Sequence, residues 1–129
     1  MKKLICLYLL IYSCYLHAAG WEEVEGLTGT EAAHYIDRTR IKKMGPNQAS
    51  LWLLLNRKTP TIYEGQSVWS TASLLEFDCK QQKYRIGITY YYSKPMGEGV
   101  VIGNLSVPAL YQPPAPNSPP ELYMMIACK

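Results

Sequence analysis

The sequence predicts an α+β fold, in which a small antiparallel sheet of about five to six strands carries one short C-terminal helix and one disulfide. Three observations predict it. Apolar residues alternate at period two along several segments separated by glycine turns, which is typical of antiparallel strands. A Ser-Pro-Pro-Glu helix start lies close to the C-terminus, with apolar residues at helical spacing after it. The export signal described below leaves two cysteines, enough for one bridge.

Length and composition exclude two other classes of protein. The chain has 129 residues, of which 48% are hydrophobic and 18% are charged. A disordered chain would be poorer in apolar residues and richer in charge. Because domains run about 100–200 residues, we expect a single domain rather than a multi-domain protein.

The first 19 residues have the pattern of a secretory signal peptide. The chain begins Met-Lys-Lys, residues 4–12 form an unbroken apolar run, and Ala18 and Ala19 supply small residues at the exit. A membrane-spanning helix needs about 20 apolar residues, so we expect no transmembrane segment. The sequence therefore predicts an exported protein with a signal peptide over residues 1–19 and a domain over residues 20–129.

A second cleavage site stays open at Cys14. The residues Ile-Tyr-Ser before it partly resemble a bacterial lipobox, in which the cysteine is lipidated and becomes the new N-terminus. Tyr12 is bulky for its place in that pattern, so we favour ordinary cleavage near Ala18 or Ala19 over a lipid anchor. The protein is then expected in the periplasm, or at the outer membrane or cell surface.

Removal of the signal changes the charge of the chain. The full sequence carries 13 Lys and Arg against 10 Asp and Glu, and loss of Lys2 and Lys3 leaves 11 against 10, a balance of +1. We do not expect a nearly neutral domain to bind nucleic acid or polyanions in general. Any electrostatic contact with a partner must then come from a local patch.

The same cleavage leaves Cys79 and Cys128 as the cysteines of the exported domain. Two cysteines in an exported chain are expected to form one disulfide, and only one pairing exists. The bridge closes a loop of about 50 residues, to which the chain-entropy treatment assigns on the order of 4 kcal/mol of stabilisation.

Strands are predicted in order along the first half of the domain. Residues 21–27 form a short first strand, and residues 33–41 form a second strand with a bend near Asp37. Residues 49–57 are the most apolar stretch, for which we favour a buried strand over a short helix because Gly-Pro and Thr-Pro pairs flank it. Residues 61–70 are predicted as a loop that is extended near its end.

The second half of the domain adds a hairpin and one more strand. Residues 73–80 and 83–93 alternate, and the Gln-Gln pair between them predicts an antiparallel hairpin. Residues 100–107 form the next strand after a glycine turn. Residues 108–120 hold six of the nine prolines. We predict an extended connection there, since proline lacks the N–H that a central strand needs.

The C-terminal helix is expected to pack back on the sheet. Ser118 suits the N-cap, Pro119 the first helical position, and Glu121 the third position after the cap. The helix then runs to about Cys128, where the disulfide would tie it to the strand that carries Cys79.

The residue patterns of known catalytic and metal sites are absent from the sequence of the exported domain. His34 is its single histidine, and we interpret it as a partly exposed surface residue. Familiar metal sites need several His, Cys or clustered carboxylates, and no glycine-rich phosphate loop precedes a helix. We therefore predict no enzyme, no cofactor and no metal site.

Two sets of residues are candidates for contacts with a protein partner: the basic residues Arg38, Arg40, Lys42 and Lys43, and the tyrosines Tyr84, Tyr90 and Tyr92. Alternation along an extended segment would gather some of the basic charges on one side, facing an acidic partner. At period two the three tyrosines would share one side of their strand, and tyrosine is enriched at interfaces. On the sequence alone, we favour a solvated surface for the basic residues and core packing for the tyrosines.

A series of short motifs follows one order along nearly the whole exported domain. They are Trp21; Tyr35-Ile36-Asp37 with Ile41; Leu51-Trp52-Leu53-Leu54; Phe77-Asp78-Cys79-Lys80; Tyr84-Arg85; Tyr90-Tyr91-Tyr92; Gly97 and Gly99; Pro116 and Ser118; and Cys128. In this order they resemble the bacterial surface-adhesin protein E family. The Phe-Asp-Cys-Lys block with a terminal cysteine is the most specific part of the resemblance.

The resemblance implies a small Gram-negative envelope protein with an antiparallel sheet, a C-terminal helix and a disulfide. The namesake of the family is an adhesin that binds host matrix and plasma proteins. By analogy we expect an exported, non-enzymatic adhesin that binds a host matrix or plasma protein through a β surface. The alternative is a periplasmic structural or accessory protein, or an enzyme inhibitor, because a fold does not by itself determine function.

Overall fold

The computed structural model describes residues 20–27, 31–106 and 109–129. The predicted signal peptide and the lipobox cysteine, Cys14, lie outside the described residues. Within the described ranges, no helix is long and apolar enough to cross a membrane.

One antiparallel sheet and one α-helix make up the described chain, which confirms the predicted α+β class. The elements are β1 Trp21–Glu23, β2 Ala32–Asp37, β3 Lys42–Gly45, β4 Gln48–Tyr63, β5 Gln66–Asp78, β6 Lys83–Tyr92, β7 Val101–Leu105 and α1 Pro119–Ala127. The strand order is β1-β2-β4-β5-β6-β7, and β3 also pairs with β4. Neighbours in the sheet are close in sequence, as in a meander.

β2 and β3 lie on the same side of β4. Ile36 in β2 pairs with Leu53, and Lys42 in β3 pairs with Ser50. The 3-10 turn Arg38–Arg40 separates the two strands. The bend predicted near Asp37 is this turn, at which β2 ends, and β3 begins only after the last residue of the predicted strand.

The prediction of a loop over residues 61–70 is wrong. β4 continues to Tyr63 and β5 begins at Gln66, so Glu64 and Gly65 make a two-residue hairpin turn. Their φ angles are 48° and 77°, in the left-handed region that such a turn requires. Polar residues and a glycine suggested a loop, but pairing between the two strands determines the conformation here.

A β-bulge at Gly87 reverses the two faces of β6. Leu74 pairs with Ile88 and Leu75 pairs with Ile86, so Gly87 is the extra residue between the two pairs. Even-numbered residues of β6 therefore lie on one face of the sheet before the bulge and on the other face after it.

The core lies on the face of the sheet that α1 covers, which we call the helix face. It is built from Ile36, Ala49, Leu51, Leu53, Leu75, Phe77, Tyr123, Met124 and Ala127. Leu51 and Phe77 are fully buried, and burial of a side chain of this size contributes about 1.5–3 kcal/mol. The alternation predicted for residues 73–80 is confirmed, since Leu75, Phe77 and Cys79 belong to this core or pack against it.

The predicted disulfide joins Cys79, just after β5, to Cys128, just after α1. Its S–S distance is 2.06 Å and its Cα–Cα distance is 5.6 Å. The covalent link holds the end of α1 against the helix face of the sheet.

α1 begins at the predicted residue, although its N-terminus is capped differently from the prediction. Ser118 occupies the N-cap position and Pro119 follows it. The Ser118 hydroxyl donates to the carbonyl of Ala115 at 2.6 Å, and the Glu121 carboxylate accepts the Asn117 N–H at 2.9 Å. The side chains at the helix start therefore bond the preceding turn rather than each other's backbone.

The proline-rich connection runs along the edge of β6. Tyr84 and Gln112 exchange two backbone hydrogen bonds of 2.9 Å, and the Ala109 N–H donates to the carbonyl of Ile86 at 3.5 Å. The prolines that follow lie beyond this pairing, where the missing N–H breaks no ladder bond. The predicted extended connection is confirmed for its described part, and it covers a stretch of sheet edge.

The opposite side of the sheet, which we call the open face, carries no α-helix in the ranges that the structure describes. The 3-10 turn Pro95–Gly97, between β6 and β7, lies over one end of it. Ser70 Oγ donates to the carbonyl of Lys94 at 2.6 Å and accepts the Gly97 N–H at 2.8 Å. These two bonds hold the turn on β5.

Candidate partner-binding surface

The predicted basic residues do not form one patch, because the structure divides them between the two faces. Arg38 pairs with Glu22 at an Nε–Oε2 distance of 3.1 Å. Lys43 donates through Nζ to the carbonyls of Ala127 and Lys129, at the C-terminal end of α1. Both side chains therefore lie on the helix side of the molecule. For Lys43 the position is favourable, because a cation near the last carbonyls of a helix is stabilising.

Arg40 takes the opposite direction and lies on the open face. Its guanidinium carbon is 5.2 Å from the ring centroid of Trp21 and 5.6 Å from that of Trp52, so the cation makes cation–π contacts with both indole rings. Lys42 pairs with Ser50, on the same face, and is exposed. Two of the four predicted basic residues thus share the open face.

The 3-10 turn positions Arg40 through the buried carboxylate of Asp37. That carboxylate accepts the Thr39 N–H at 2.9 Å, the Thr39 hydroxyl, and Arg40 Nε at 2.7 Å. Burial of Asp37 raises the pKa of its carboxyl, but the hydrogen bonds from Thr39 and Arg40 outweigh burial and hold that pKa below its usual value. The charged carboxylate therefore fixes both the turn and the guanidinium.

A line of aromatic rings continues from Arg40 across the sheet. Trp52 stacks on Tyr90 with a centroid separation of 6.3 Å and an interplanar angle of 26°. Tyr90 pairs with Ala72, whose small side chain leaves room for the two rings to meet above it. We call Trp21, Arg40, Trp52 and Tyr90 the aromatic row; its three aromatic residues are half-buried.

The three predicted tyrosines do not share a face, so that prediction is wrong. The bulge at Gly87 places Tyr84 opposite Phe77 on the helix face, while Tyr90 and Tyr92 lie opposite Ala72 and Ser70 on the open face. Tyr84 packs against the core, as the simpler interpretation of the tyrosines expects. Period two cannot be carried through a bulge, and nothing local in the sequence marks one except the glycine itself.

Comparison with known families identifies the fold at this point. The family described as surface-adhesin protein E matches residues 21–129. The chain belongs to the surface-adhesin protein E family.

Two solved structures of protein E from Haemophilus influenzae resemble this member of the family. One, the selenomethionine form, has a TM-score of 0.63 at 14% identity and covers 86% of this chain and 87% of its own. The other, from a non-typeable strain, has a TM-score of 0.62 at 14% identity, with 86% of this chain and 76% of its own chain covered. At this identity the likeness concerns the fold. No curated protein sequence is significantly similar to the chain.

Sequence reasoning missed two members of the aromatic row in this adhesin-family protein, Trp21 and Trp52. A signal for Trp52 was present. Leu51 and Leu53 form the core face of β4, so the residue between them must point to the opposite side. A large aromatic residue at that position indicates an amphipathic surface rather than core. Trp21 carries no such signal, because its strand has three residues.

His34 has a structural contact in this fold. Its Nδ1 atom bonds the hydroxyl of Tyr123, a buried residue of α1, and the two rings stack with centroids 6.0 Å apart. Burial lowers the pKa of His34 and raises the pKa of Tyr123. The pair links β2 to the helix. In the described part of the chain, no group of three or more His, Cys, Asp or Glu side chains is arranged to hold a metal ion.

Proposed function

We propose that this member of the surface-adhesin protein E family is an exported, non-enzymatic adhesin that binds a host matrix or plasma protein through the open face of its sheet. The observation that carries the proposal is the aromatic row. Its residue types, Trp, Tyr and Arg, are the ones in which protein-binding hot spots are enriched. Half-buried rings already held by neighbours lose little conformational entropy when a partner covers them.

Membership of an adhesin family supports export and surface function, and the leader-like residues 1–19 agree with it. The alternative is a periplasmic accessory protein or an enzyme inhibitor, which would also bind a protein. The two differ in where the open face is displayed, so location is the discriminating measurement.

The test is to express the full chain with its own leader and treat intact cells with protease. We expect the protein to be cleaved on intact cells and the cells to bind immobilised matrix or plasma proteins. Intact-mass measurement of the purified protein gives the cleavage site, any lipid at Cys14, and the loss of two hydrogens in the disulfide. Protection from protease together with recovery in the periplasmic fraction would exclude adhesion.

A matched pair of variants connects adhesion to the open face. Tyr90→Ala removes one ring of the aromatic row, whereas Ile62→Ala removes a more accessible apolar side chain near the Glu64–Gly65 turn, where Ile62 is 68% exposed. We expect Tyr90→Ala to reduce adherence by about 10-fold or more, as a hot-spot truncation does, and Ile62→Ala to leave it unchanged. If both variants are displayed in equal amounts and adhere equally well, the binding surface lies elsewhere on the protein.

A further inference from the structure

We propose that Arg40, which makes cation–π contacts with Trp21 and Trp52, binds a carboxylate of the partner. The partner segment is an acidic peptide with apolar side chains beside that carboxylate. The inference rests on the proposed function, since it names the chemistry of the partner at the same face.

Arg40 keeps part of its hydrogen-bonding capacity unused. Asp37 engages the Nε atom at 2.7 Å, and among the described residues the two Nη atoms have no partner. The Arg40 side chain is 44% exposed. The Nη edge of a guanidinium donates two parallel N–H bonds to one carboxylate, which makes this edge a bidentate site for that group.

The guanidinium is also held in one orientation before any partner arrives. The ring centroids of Trp21 and Trp52 lie 5.2 Å and 5.6 Å from its carbon, and Asp37 accepts a hydrogen bond from its Nε. An arginine in solution loses rotamer freedom when it binds, and that loss is smaller where the side chain is already packed. Arg40 is therefore better suited to binding than a free surface arginine.

The cations of the neighbouring surface distinguish an acidic peptide from a sulfated polysaccharide. A polyanionic chain is bound by several unpaired cations along a stripe. On the open face Arg85 is already paired with Glu76 at 3.2 Å and stacked on Tyr111 at 4.6 Å. Lys83, opposite Asp78 in the register, also lies on this face. Because carboxylates are interleaved among these cations, Arg40 and Lys42 match one or two carboxylates of a partner but not a repeating polyanion.

The rings beside Arg40 indicate the rest of the peptide. Trp52 and Tyr90 form the next stacked pair of the row, and they offer half-buried aromatic surface without further charge. Apolar side chains next to the carboxylate can cover these rings, so that the ion pair becomes partly shielded from water and gains strength. In this arrangement Arg40 binds the acidic residue of the peptide, and the neighbouring rings of the aromatic row contact its apolar residues.

The experiment measures binding of short synthetic peptides, capped at both ends, in which one Asp or Glu stands among apolar residues. Each is paired with the same peptide carrying Asn or Gln, and heparin oligosaccharide serves as the competing ligand class. We expect the acidic peptides to bind, with quenching or shift of tryptophan fluorescence, and their amide counterparts to bind about 10- to 100-fold more weakly. Binding of heparin but no peptide, equal binding of acid and amide peptides, or no binding at all overturns the proposal.

Variants of the purified full-length domain assign the effect to Arg40. Arg40→Gln should lower the affinity for the acidic peptide about 10- to 100-fold, and Arg40→Lys should recover little of it, since an ammonium lacks the fork and the flat stacking surface. Arg38→Gln is the matched control, because Arg38 lies in the same turn but pairs with Glu22 on the other side. Full affinity in Arg40→Lys, or equal losses in the Arg38 and Arg40 variants, would contradict a bidentate site.

The outcome separates this inference from the proposed function. If cells that display Arg40→Gln adhere to host protein as well as the parent does, adhesion stands and carboxylate binding by Arg40 fails. If the purified domain binds acidic peptide through Arg40 but the protein is hidden inside intact cells, carboxylate binding stands and surface adhesion fails. A folding check by thermal unfolding accompanies each variant, and the Lys variant keeps a cation beside Asp37 should the Gln variant unfold.

Discussion

At the scale of single residues, Asp37 connects the local sequence to the open face. Its side chain is 3% exposed, and its carboxylate accepts hydrogen bonds from two groups of Thr39 and from Arg40. A buried carboxylate without such donors would be strongly unfavourable. In the sequence Asp-Arg-Thr-Arg, the donors to the Asp37 carboxylate therefore lie within the next three residues. The bond from Arg40 also directs its side chain onto the open face.

We expect Asp37→Asn to destabilise the protein by about 1–3 kcal/mol, because one charged acceptor of Arg40 is lost in a buried position. The hydrogen bonds hold the folded-state pKa of Asp37 below its unfolded value. The stabilisation is therefore present above the unfolded pKa of about 4 and is lost as pH falls through the lower folded pKa. Urea unfolding of both proteins should show a gap at pH 7 that closes toward pH 2.

Asp78→Asn is the control for this substitution. Asp78 Oδ1 accepts the Gln81 N–H at 2.9 Å in an exposed turn, and asparagine can keep that bond. Its stability should lie within about 0.5 kcal/mol of the parent at every pH. A gap for Asp37→Asn that persists unchanged at pH 2 would show that the charge of the carboxylate is not its source.

At the scale of elements, the bulge in β6 determines which of its side chains lie on the open face. Tyr84 lies opposite Phe77 and packs against the core, and the extra residue Gly87 places Tyr90, farther along the strand, on the open face. A strand without the bulge would carry Tyr84 and Tyr90 on the same side. The single extra residue thus lets one strand complete the core at one end and the aromatic row at the other.

We expect Gly87→Ala to cost about 0.5–1 kcal/mol of folding free energy, since an added Cβ would lie 2.5 Å from Glu76 Oε1, and that flexible side chain must move away from its ion-pair partner Arg85. Shortening the obstructing side chain in Gly87→Ala/Glu76→Ala should relieve the clash, so that the double variant loses less than the two single losses together. Urea denaturation of the four proteins gives the coupling energy.

Gly20→Ala provides the comparison for the bulge variant. There the nearest described atom is 3.6 Å from the added Cβ, an ordinary contact, and the change should be close to neutral. Additive losses at Gly87 and Glu76 would show that the clash is absorbed elsewhere in the sheet.

At the scale of the whole molecule, several links attach α1 to the sheet. Within the helix, Tyr123 contacts the core and bonds His34, while the Lys43 hydrogen bonds and the Cys79–Cys128 bridge both act at its C-terminal end. The bridge closes a loop with a sequence separation of 49 residues, so it restricts the unfolded chain as well as the helix.

Cys79→Ser/Cys128→Ser should lower the free energy of unfolding by about 2–5 kcal/mol. Urea unfolding of the parent with and without reductant measures the same effect independently. We expect the reduced parent and the double variant to unfold at the same lower midpoint. A midpoint that does not change in either case would show that the bridge contributes nothing to stability.

Much of the fold could be predicted because it depends on near neighbours in the chain. Alternation at Leu75, Phe77 and Cys79 marks a core face, and the Ser-Pro-Pro-Glu start marks α1. With 1–19 taken as a signal, the count of cysteines leaves one pairing. The strand and helix signals depend on residues two to four positions apart, a range over which backbone geometry repeats.

The binding surface was predictable only in its residue types. Arg40 and Tyr90 were candidates from the sequence, but Arg38, Lys43 and Tyr84 were grouped with them and lie elsewhere. Which of these side chains meet depends on strand register, on one bulge, and on rings that stack across neighbouring strands. Those contacts join residues far apart in sequence, such as Trp52 and Tyr90, and no local pattern records them. The sequence alone therefore determined the class of fold, the bridge and the terminal helix. Only tertiary packing decided which arginine and which tyrosine lie together on the open face.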